Sequence, residues 1–505
     1  MILVRLAMTT LALVGVVSGF ASHKPFGYRV QATQRTSRSY LSMGADDTSD
    51  IKPLAARKNM KILIIGGGIG GMAMALSLHE AGFTNVDVYE QTKEIEELGV
   101  GINVQPSAIK EMIEMGLGDA LATTGIATAE IRYFNKFGQS IFSEPRGIAA
   151  GYMWPQYSIH RGKLLMLLFE AVKERLGSQH IHSGHQLVDC WEDNIGPETT
   201  GGCYANFKQQ SGGNRDKLKT IEADLIIACD GVHSRVRKIL EGENFSPPVW
   251  SGITLYRGTT LTKPYFTGRS MTISGHLEKK FVLYPISKEA EDKGQSLLNW
   301  VCLLKTNNEG DSYDGGKERW NVEASKNDVA EEFSDFDLGF VNVPELIRGA
   351  EAVYKYPMVS RKPMDSWVHG RITLLGDAAH PMWPVGSNGA TQSILDTRVL
   401  ARCLAVEANI TSALESYDME RRKTTAAIAR ANQVASESRF LEIINEKAPE
   451  GFDDLSTIIS KEELEEISST YKTLAGFSPG KLNIAPSLMA DCLRAADNNG
   501  WTVDA

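Results

Sequence analysis

The chain has 505 residues, a formal charge of −9, 42% hydrophobic and 23% charged residues. That length allows two sizeable lobes, and the balance is ordinary for a soluble globular protein. The acidic sign gives no general attraction for nucleic acid or an anionic membrane, and the six scattered cysteines form no CxxC, so neither a zinc site nor a disulfide framework is expected.

Residues 1–50 are expected to be a targeting presequence and linker. Arg5 precedes an apolar stretch, Leu6 to Val17, that suits a signal peptide better than a membrane span. Ser18-Gly19 offers a cleavage point before Phe20. The next segment carries Lys24, Arg29, Arg35 and Arg38 with many hydroxyls and no acid, as transit peptides do. Signal, phenylalanine and transit segment in that order resemble the bipartite plastid presequence of algae with secondary plastids. Secretion and mitochondrial import are the alternatives. No stable membrane anchor is expected.

KILIIGGGIGG, from Lys61, places an apolar run before a glycine turn and a helical pattern. Gly66, Gly68 and Gly71 fit the dinucleotide fingerprint: a tight turn, a close approach to pyrophosphate, and helix–strand packing. VDVYE follows and ends in Glu90, where an acid that binds ribose hydroxyls is expected; a charge at an exposed strand end is the other reading. Residues 164–175 read as a helix with Leu164, Leu165, Leu168 and Val172 on one side. ADLIIACDGVHSRVR again reads as a strand, then Asp230-Gly231, then a basic helix start with Arg235.

From about Ser246 to Lys362 short alternating strands, among them GITLYRGTT, KFVLYPI and SLLNWVCLL, predict an antiparallel sheet. LLGDAAHPMWPVGSNGATQSILD follows. A strand ends in Gly376-Asp377, a proline- and glycine-rich loop comes next, and a helix begins near Asn388-Gly389. A carboxylate at a strand end can hold a sugar-like hydroxyl, and a helix N-terminus favours anionic charge. These are the needs of the ribitol and the reduced ring of FAD. The chain from Thr411 onward reads as helical, with an acidic, polar tail broken by Pro479 and Pro486.

The three glycine- and aspartate-bearing blocks, in this order, resemble the group A flavoprotein aromatic hydroxylases, the para-hydroxybenzoate and salicylate hydroxylase family. ELGVGINVQPSAIKEM, EPRGIAAGYMWPQYSIHRGKL and SLLNWVCLL are similar to its phenazine-biosynthesis subgroup. The resemblance runs from about Lys61 to about Arg430. It implies an α/β fold: a Rossmann-like FAD-binding domain, an antiparallel-sheet substrate domain and a C-terminal helical region. The expected divisions are 57–245 and 365–405 for the FAD-binding domain, 246–364 for the substrate sheet and 406–505 for the helical region.

By the same resemblance, Gly101 passes beside the flavin, or is only a turn. Arg161 reaches the phosphate or ribose region of FAD, or is a surface cation. Asp230 touches FAD and helps form the nicotinamide groove, or is only a helix cap. Asp377 binds the ribitol, and Gly389 and Ala390 open the helix aimed at the pyrimidine edge. Arg257 and Tyr284 are the candidates for activating a substrate oxygen, with a structural arginine and a core tyrosine as the alternative. Met382 and Trp383 are expected to line the pocket and His380 to be structural. The implied activity is hydroxylation of an aromatic or polycyclic small molecule with O2 and NADH or NADPH, through a C4a-hydroperoxyflavin. A plastid carotenoid, quinone or prenyl-lipid oxidoreductase is the second reading, and a redox-inactive flavin- or nucleotide-binding protein the third. A plastid stroma would supply reduced nicotinamide, which a secretory lumen supplies poorly.

Overall fold

Buried strands and the helices that cover them account for most of the architecture. The structure, a computed structural model, describes residues 58–193, 202–210, 218–311, 322–434, 439–474 and 478–492. The expected presequence lies outside them.

In chain order the first βαβ unit is β1 (Ile62–Ile65), α1 (Ile69–Glu80) and β2 (Val86–Tyr89). Then come β3 (Gly101–Val104), α2 (Pro106–Glu114), β4 (Ile126–Thr128), β5 (Glu130–Phe134), β6 (Ser140–Pro145), β7 (Gln156–His160) and α3 (Arg161–Arg175). The chain continues through β8 (Ile181–His182), β9 (His185–Glu192), β10 (Cys203–Gln209), β11 (Leu218–Ala223), β12 (Leu225–Ala228) and α4 (Arg235–Glu241). Four strands follow: β13 (Val249–Thr262), β14 (Ser270–Gly275), β15 (Lys279–Pro285) and β16 (Ser296–Lys305). Next are β17 (Val322–Glu323), α5 (Lys326–Glu332), α6 (Val343–Arg348), β18 (Tyr354–Ser360), β19 (Val368–His369) and β20 (Ile372–Leu374). The helical end holds α7 (Asn388–Val406), α8 (Ile410–Val434), α9 (Arg439–Lys447), α10 (Lys461–Leu474) and α11 (Pro479–Ile484).

The nucleotide lobe is a six-stranded sheet in the order β19-β20-β12-β1-β2-β8, parallel except for β19. Both β1 and β12 are buried along their whole length, as parallel strands covered on two faces must be. Helix α1 packs against α3 and α7, and Ser77 meets Thr397 across that contact at 3.0 Å. The helix α3 begins at Arg161, three residues before the apolar pattern that marks it in the sequence. Its first three residues, Arg161, Gly162 and Lys163, carry no apolar side chain, so hydrophobic periodicity misses them.

The second lobe is an eight-stranded sheet in the order β17-β18-β13-β16-β15-β14-β5-β6. It departs from the sequence expectation in one respect. Strands β5 and β6 come from the earlier FAD-domain stretch, and β5 joins β14 in parallel. A strand recruited from more than 100 residues away leaves no local signature. The outer face carries Phe281, Leu283 and Trp300, closed by Phe333, Leu346 and Ile347 beside or within α5 and α6. Trp300 fits there because position 258 is glycine: a Cβ at Gly258 would lie 2.4 Å from the indole.

The register puts Arg257, Val301, Val282, Ile273 and Tyr133 in one row on the inner face. Asn299, Tyr284 and the neighbourhood of Met271 form the next row. Helices α9 and α10 bury Phe440, Leu441, Ile444 and Leu464 against the β5 end of that face. Pro479 opens α11, where its missing N–H costs nothing. After α11 the backbone returns to α2, where the Lys110 ammonium donates to the carbonyls of Ala485 and Pro486, each at 2.7 Å.

Candidate active site

The glycine turn after β1 is built by exclusion of side chains. A Cβ at Gly71 would lie 1.9 Å from the Gly66 carbonyl oxygen, and one at Gly66, where φ is +106°, would lie 2.4 Å from the Cys229 carbonyl. Gly68 faces open space, so a ligand can reach its backbone. The half-buried Glu90 grips this turn: one carboxylate oxygen accepts from Gly67 N at 2.7 Å, the other from Thr92 N at 2.8 Å.

Asp230 lies against the same turn, its Cα 3.1 Å from where a Gly66 Cβ would be. One oxygen accepts from the backbone N–H groups of Arg235 and Val236 at 2.7 and 3.1 Å, a cap on α4. The other is buried and has no protein partner. Desolvation raises the pKa of this carboxyl, opposed by bonds from Ser234 and the two backbone N–H groups. The helix-cap reading and the ligand reading of Asp230 therefore use different oxygens.

The turn after β20 is held from beneath. Gly376 N donates to Asp396 at 3.2 Å, and His380 Nε2 lies 2.5 Å from the same oxygen. Arg421 Nε donates to the second oxygen of Asp396 at 2.7 Å. Burial pushes the Asp396 carboxyl up, but His380 and Arg421 outweigh it and hold it below the usual range. From the second motif, Arg237 donates to the carbonyls of Ala379 and Lys362 at 3.1 and 2.8 Å.

Asp377 projects from this turn into the groove and is exposed there. The surrounding protein still desolvates it and raises its pKa, opposed by His380 and Arg161. Arg161, also exposed, is desolvated in turn, with Asp377 favouring its charged form. Ser393 joins the walls: its Oγ would be 2.6 Å from a Cβ at Gly70 and 2.5 Å from one at Gly376.

At the start of α7, Ser387 is in the left-handed region at φ +58°. Asn388 is fully buried, and both its side-chain oxygen and nitrogen lack a protein partner. Gly389 faces open space, and Ala390 beside it is half-buried. Gln105 ties this loop to α2 by donating from its side-chain amide to Gly386 O at 3.0 Å; its backbone N–H donates to Thr391 Oγ1 at 3.1 Å. Orphaned buried polar atoms at Asp230 and Asn388, with open space at Gly68 and Gly389, fit an elongated dinucleotide whose flat ring ends at α7.

Arg257 and Tyr284 do share the inner face of the sheet. Both donate to one acceptor, the Gly101 carbonyl, at 2.5 and 3.0 Å. Asn299 Oδ1 accepts from Gly101 N at 2.7 Å. Gly101 is thus gripped on both sides by the sheet, and a Cβ there would lie 2.6 Å from Asn299 and Ile286. The two predicted activating residues therefore share a backbone acceptor, and the Arg257 guanidinium also interacts with the Tyr284 hydroxyl. Arg257 Nε and Asn299 Nδ2 remain buried without one. Trp383 packs over Leu255, Leu303 and Met358. Among the described residues no cluster of His, Cys, Asp and Glu could hold a metal ion.

Asn388, Gln105, Asn299 and Asp396 were not singled out as site residues from the sequence. Asn388 and Asp396 lie within the third motif and could have been found by asking which polar residues the new helix would bury. Asn299 and Gln105 carry no local signal.

A protein-family profile described as FAD binding domain matches residues 59–288 and 343–432. Phenazine 1,6-dicarboxylic acid hydroxylase PhzS of Lysobacter antibioticus is 40% identical over 373 residues, covering 74% of this chain and 89% of that protein. Salicylate hydroxylase of Pseudomonas putida is 26% identical over 408 residues, covering 74% of this chain and 84% of that protein. A solved salicylate hydroxylase substrate complex superposes with a TM-score of 0.62 at 21% identity, covering 86% of this chain and all of that one. HpxO of Klebsiella pneumoniae, complexed with FAD and uric acid, gives a TM-score of 0.59 at 21% identity, covering 86% and 97%.

Proposed function

The chain belongs to the FAD-binding-domain family of flavoprotein aromatic hydroxylases, and from that premise we propose that it hydroxylates an aromatic or polycyclic small molecule with O2 and NAD(P)H. The observation that carries the reading is the convergence of three sequence-distant motifs: the Gly66 turn lies against Cys229 and Asp230, and Ser393 of the third motif lies against both Gly70 and Gly376.

FAD, when bound, accepts hydride from the nicotinamide and activates oxygen for transfer to the substrate. The chain supplies the rest. Glu90 fixes the glycine turn and offers its carboxylate to the adenosine ribose. The backbone at Gly68 would approach the pyrophosphate, Arg161 would add positive charge in the phosphate or ribose region, and the free oxygen of Asp230 would touch FAD and border the nicotinamide groove. Asp377 accepts from ribitol hydroxyls. The N-terminus of α7, with Asn388 and the N–H groups at Gly389 and Ala390, favours negative charge on the pyrimidine edge without reorganising. Arg257, Tyr284 and Asn299 lock the Gly101 strand to the substrate sheet, and the Arg257 guanidinium keeps one buried N–H for an anionic substrate oxygen. Trp383, Pro384 and Val385 form the wall that excludes water.

Purified protein should carry a non-covalent yellow flavin released by acid. Aromatic compounds should accelerate NAD(P)H oxidation and yield hydroxylated product; protein that binds flavin yet shows no such acceleration would favour the carrier reading. NADPH is the expected reductant if the protein works in a plastid, and comparing KM for NADPH and NADH decides that point. The basic, acid-free N-terminal segment supports plastid import. A fusion of residues 1–50 to a fluorescent protein should enter the plastid of a secondary-plastid alga, and its secretion would reject that address.

A further inference from the structure

We infer that residues 478–492 form a strap that strengthens FAD binding, and that Lys110 is the positioning residue through which the strap acts on the loop at the flavin edge. The inference rests on the FAD assignment and not on the identity of the substrate. The segment lies outside the residues matched by the family profile, which stop at 432. It nevertheless reaches the main core: Met489 is 1% exposed and belongs to the apolar cluster of the nucleotide lobe.

The strap is fastened at three places. Asn483 grips the loop that leads into β7, its Oδ1 accepting from Met153 N at 3.0 Å and its Nδ2 donating to Gly151 O at 2.8 Å. On α2 the Lys110 ammonium, 4% exposed, donates to the carbonyls of Ala485 and Pro486 and lies 5.3 Å from the centre of the Trp154 ring. None of these partners is an anion. Burying an ammonium is costly unless its N–H groups are hydrogen-bonded, so the two strap carbonyls offset the cost of this lysine. One residue on, Glu111 bridges the strap and α7. One of its oxygens accepts from Leu488 N at 3.2 Å and the other from Arg398 Nε at 3.1 Å.

From α2 the link to the cofactor is short. Gln105 is the N-cap of α2, and it ties the helix to Gly386 in the loop before Asn388 and to Thr391 in α7. Lys110 follows Gln105 by five residues, about 7.5 Å along the helix axis. A helix transmits displacement over that distance as a rigid element. Releasing the strap would free α2 to shift at Lys110, and Gln105 would carry the shift to the N-terminus of α7. Coupling between two linked sites is reciprocal in binding free energy. Bound FAD should therefore also hold the strap closed.

The test uses full-length holoenzyme. Serial dilution, with released flavin read by its fluorescence, gives the FAD dissociation constant, and a thermal melt gives stability. Lys110→Met keeps most of the apolar stem and removes both strap bonds. It should weaken FAD by about tenfold, toward the low end of coupling between linked sites. Lys110→Arg, which can still donate to the two carbonyls, should recover most of that loss. Asn483→Ala, which opens the strap at another fastening, should weaken FAD by a smaller factor. In the wild type, amide hydrogen exchange across 478–492 should be slower with FAD bound than after its removal. A strap that merely adds stability would lower the melting temperature of both weakened variants. It would leave the dissociation constant and the FAD dependence of exchange unchanged, and that result overturns the inference while the FAD assignment stands. If Lys110→Met does not fold, Asn483→Ala and the wild-type exchange measurement decide the matter in the same way. If the wild-type protein binds no FAD, the assignment itself falls, and the inference with it.

Discussion

At the glycine turns of the cofactor site the neighbouring atoms leave no room for a side chain at Gly66, Gly71 or Gly376, whereas the inner face of the substrate sheet is only half-buried at its centre. Gly71 lies so close to the Gly66 carbonyl that a single added carbon would collide, and Glu90 and Asp396 each spend both oxygens on neighbours. On the sheet, Val282 and Val301 keep partial exposure. The first region must present one geometry to one cofactor. The second must admit a substrate and release a product. The difference teaches where change is tolerated: added volume should destroy the groove but only retune the face.

Substitutions can break that contrast, beginning with the largest effect. Gly71→Val should abolish FAD binding and lower thermal stability, because the colliding atom is backbone and overpacking costs about 1–3 kcal/mol or more. A variant purified with full flavin content would show that the groove is softer than its geometry implies. Asp396→Asn should cost about 3–5 kcal/mol, since it leaves Arg421 buried without its counter-charge. The sign with pH follows from the depressed Asp396 pKa: its contribution is present above the ordinary carboxylate value and is lost as pH falls through the folded value. The melting-temperature gap to wild type should therefore hold near neutrality and narrow below about pH 4; a gap that widens in acid would contradict the ion-pair assignment.

Asp377→Ala, which removes the proposed ribitol contact and the negative charge beside Arg161, should weaken FAD by roughly ten- to over a hundredfold, from the ~1.5–3 kcal/mol of a charge-assisted hydrogen bond. Wild-type affinity by fluorescence titration would mean the third motif does not hold the ribitol. On the softer face, Arg257→Gln should keep FAD bound yet release more hydrogen peroxide in place of hydroxylated product; normal coupling with normal KM would remove Arg257 from substrate handling. The smallest effect belongs to Tyr284→Phe, which deletes one neutral hydrogen bond to Gly101 worth about 0.5–1.5 kcal/mol. Because Arg257 still holds that carbonyl, coupling should fall only slightly, and a collapse as large as that of Arg257→Gln would make tyrosine the dominant latch.

Gly66, Gly68, Glu90, Asp230 and Asp377 could be singled out in the sequence because each follows a strand at the turn it serves, and Gly71 because it packs the first turn of the following helix against the Gly66 carbonyl. Local backbone needs select those residue types, and strand–turn–helix order repeats the need three times. The buried strands β1 and β12 were legible for the same reason, as unbroken apolar runs. Tertiary structure alone decided that Arg257 and Tyr284 converge on a carbonyl 156 and 183 residues upstream. It alone decided that β5 and β6 complete the substrate sheet and that Asn299 meets Gly101. Strand pairing brings such residues together through register, and register is set by the packing of whole faces, so no short stretch of sequence contains it.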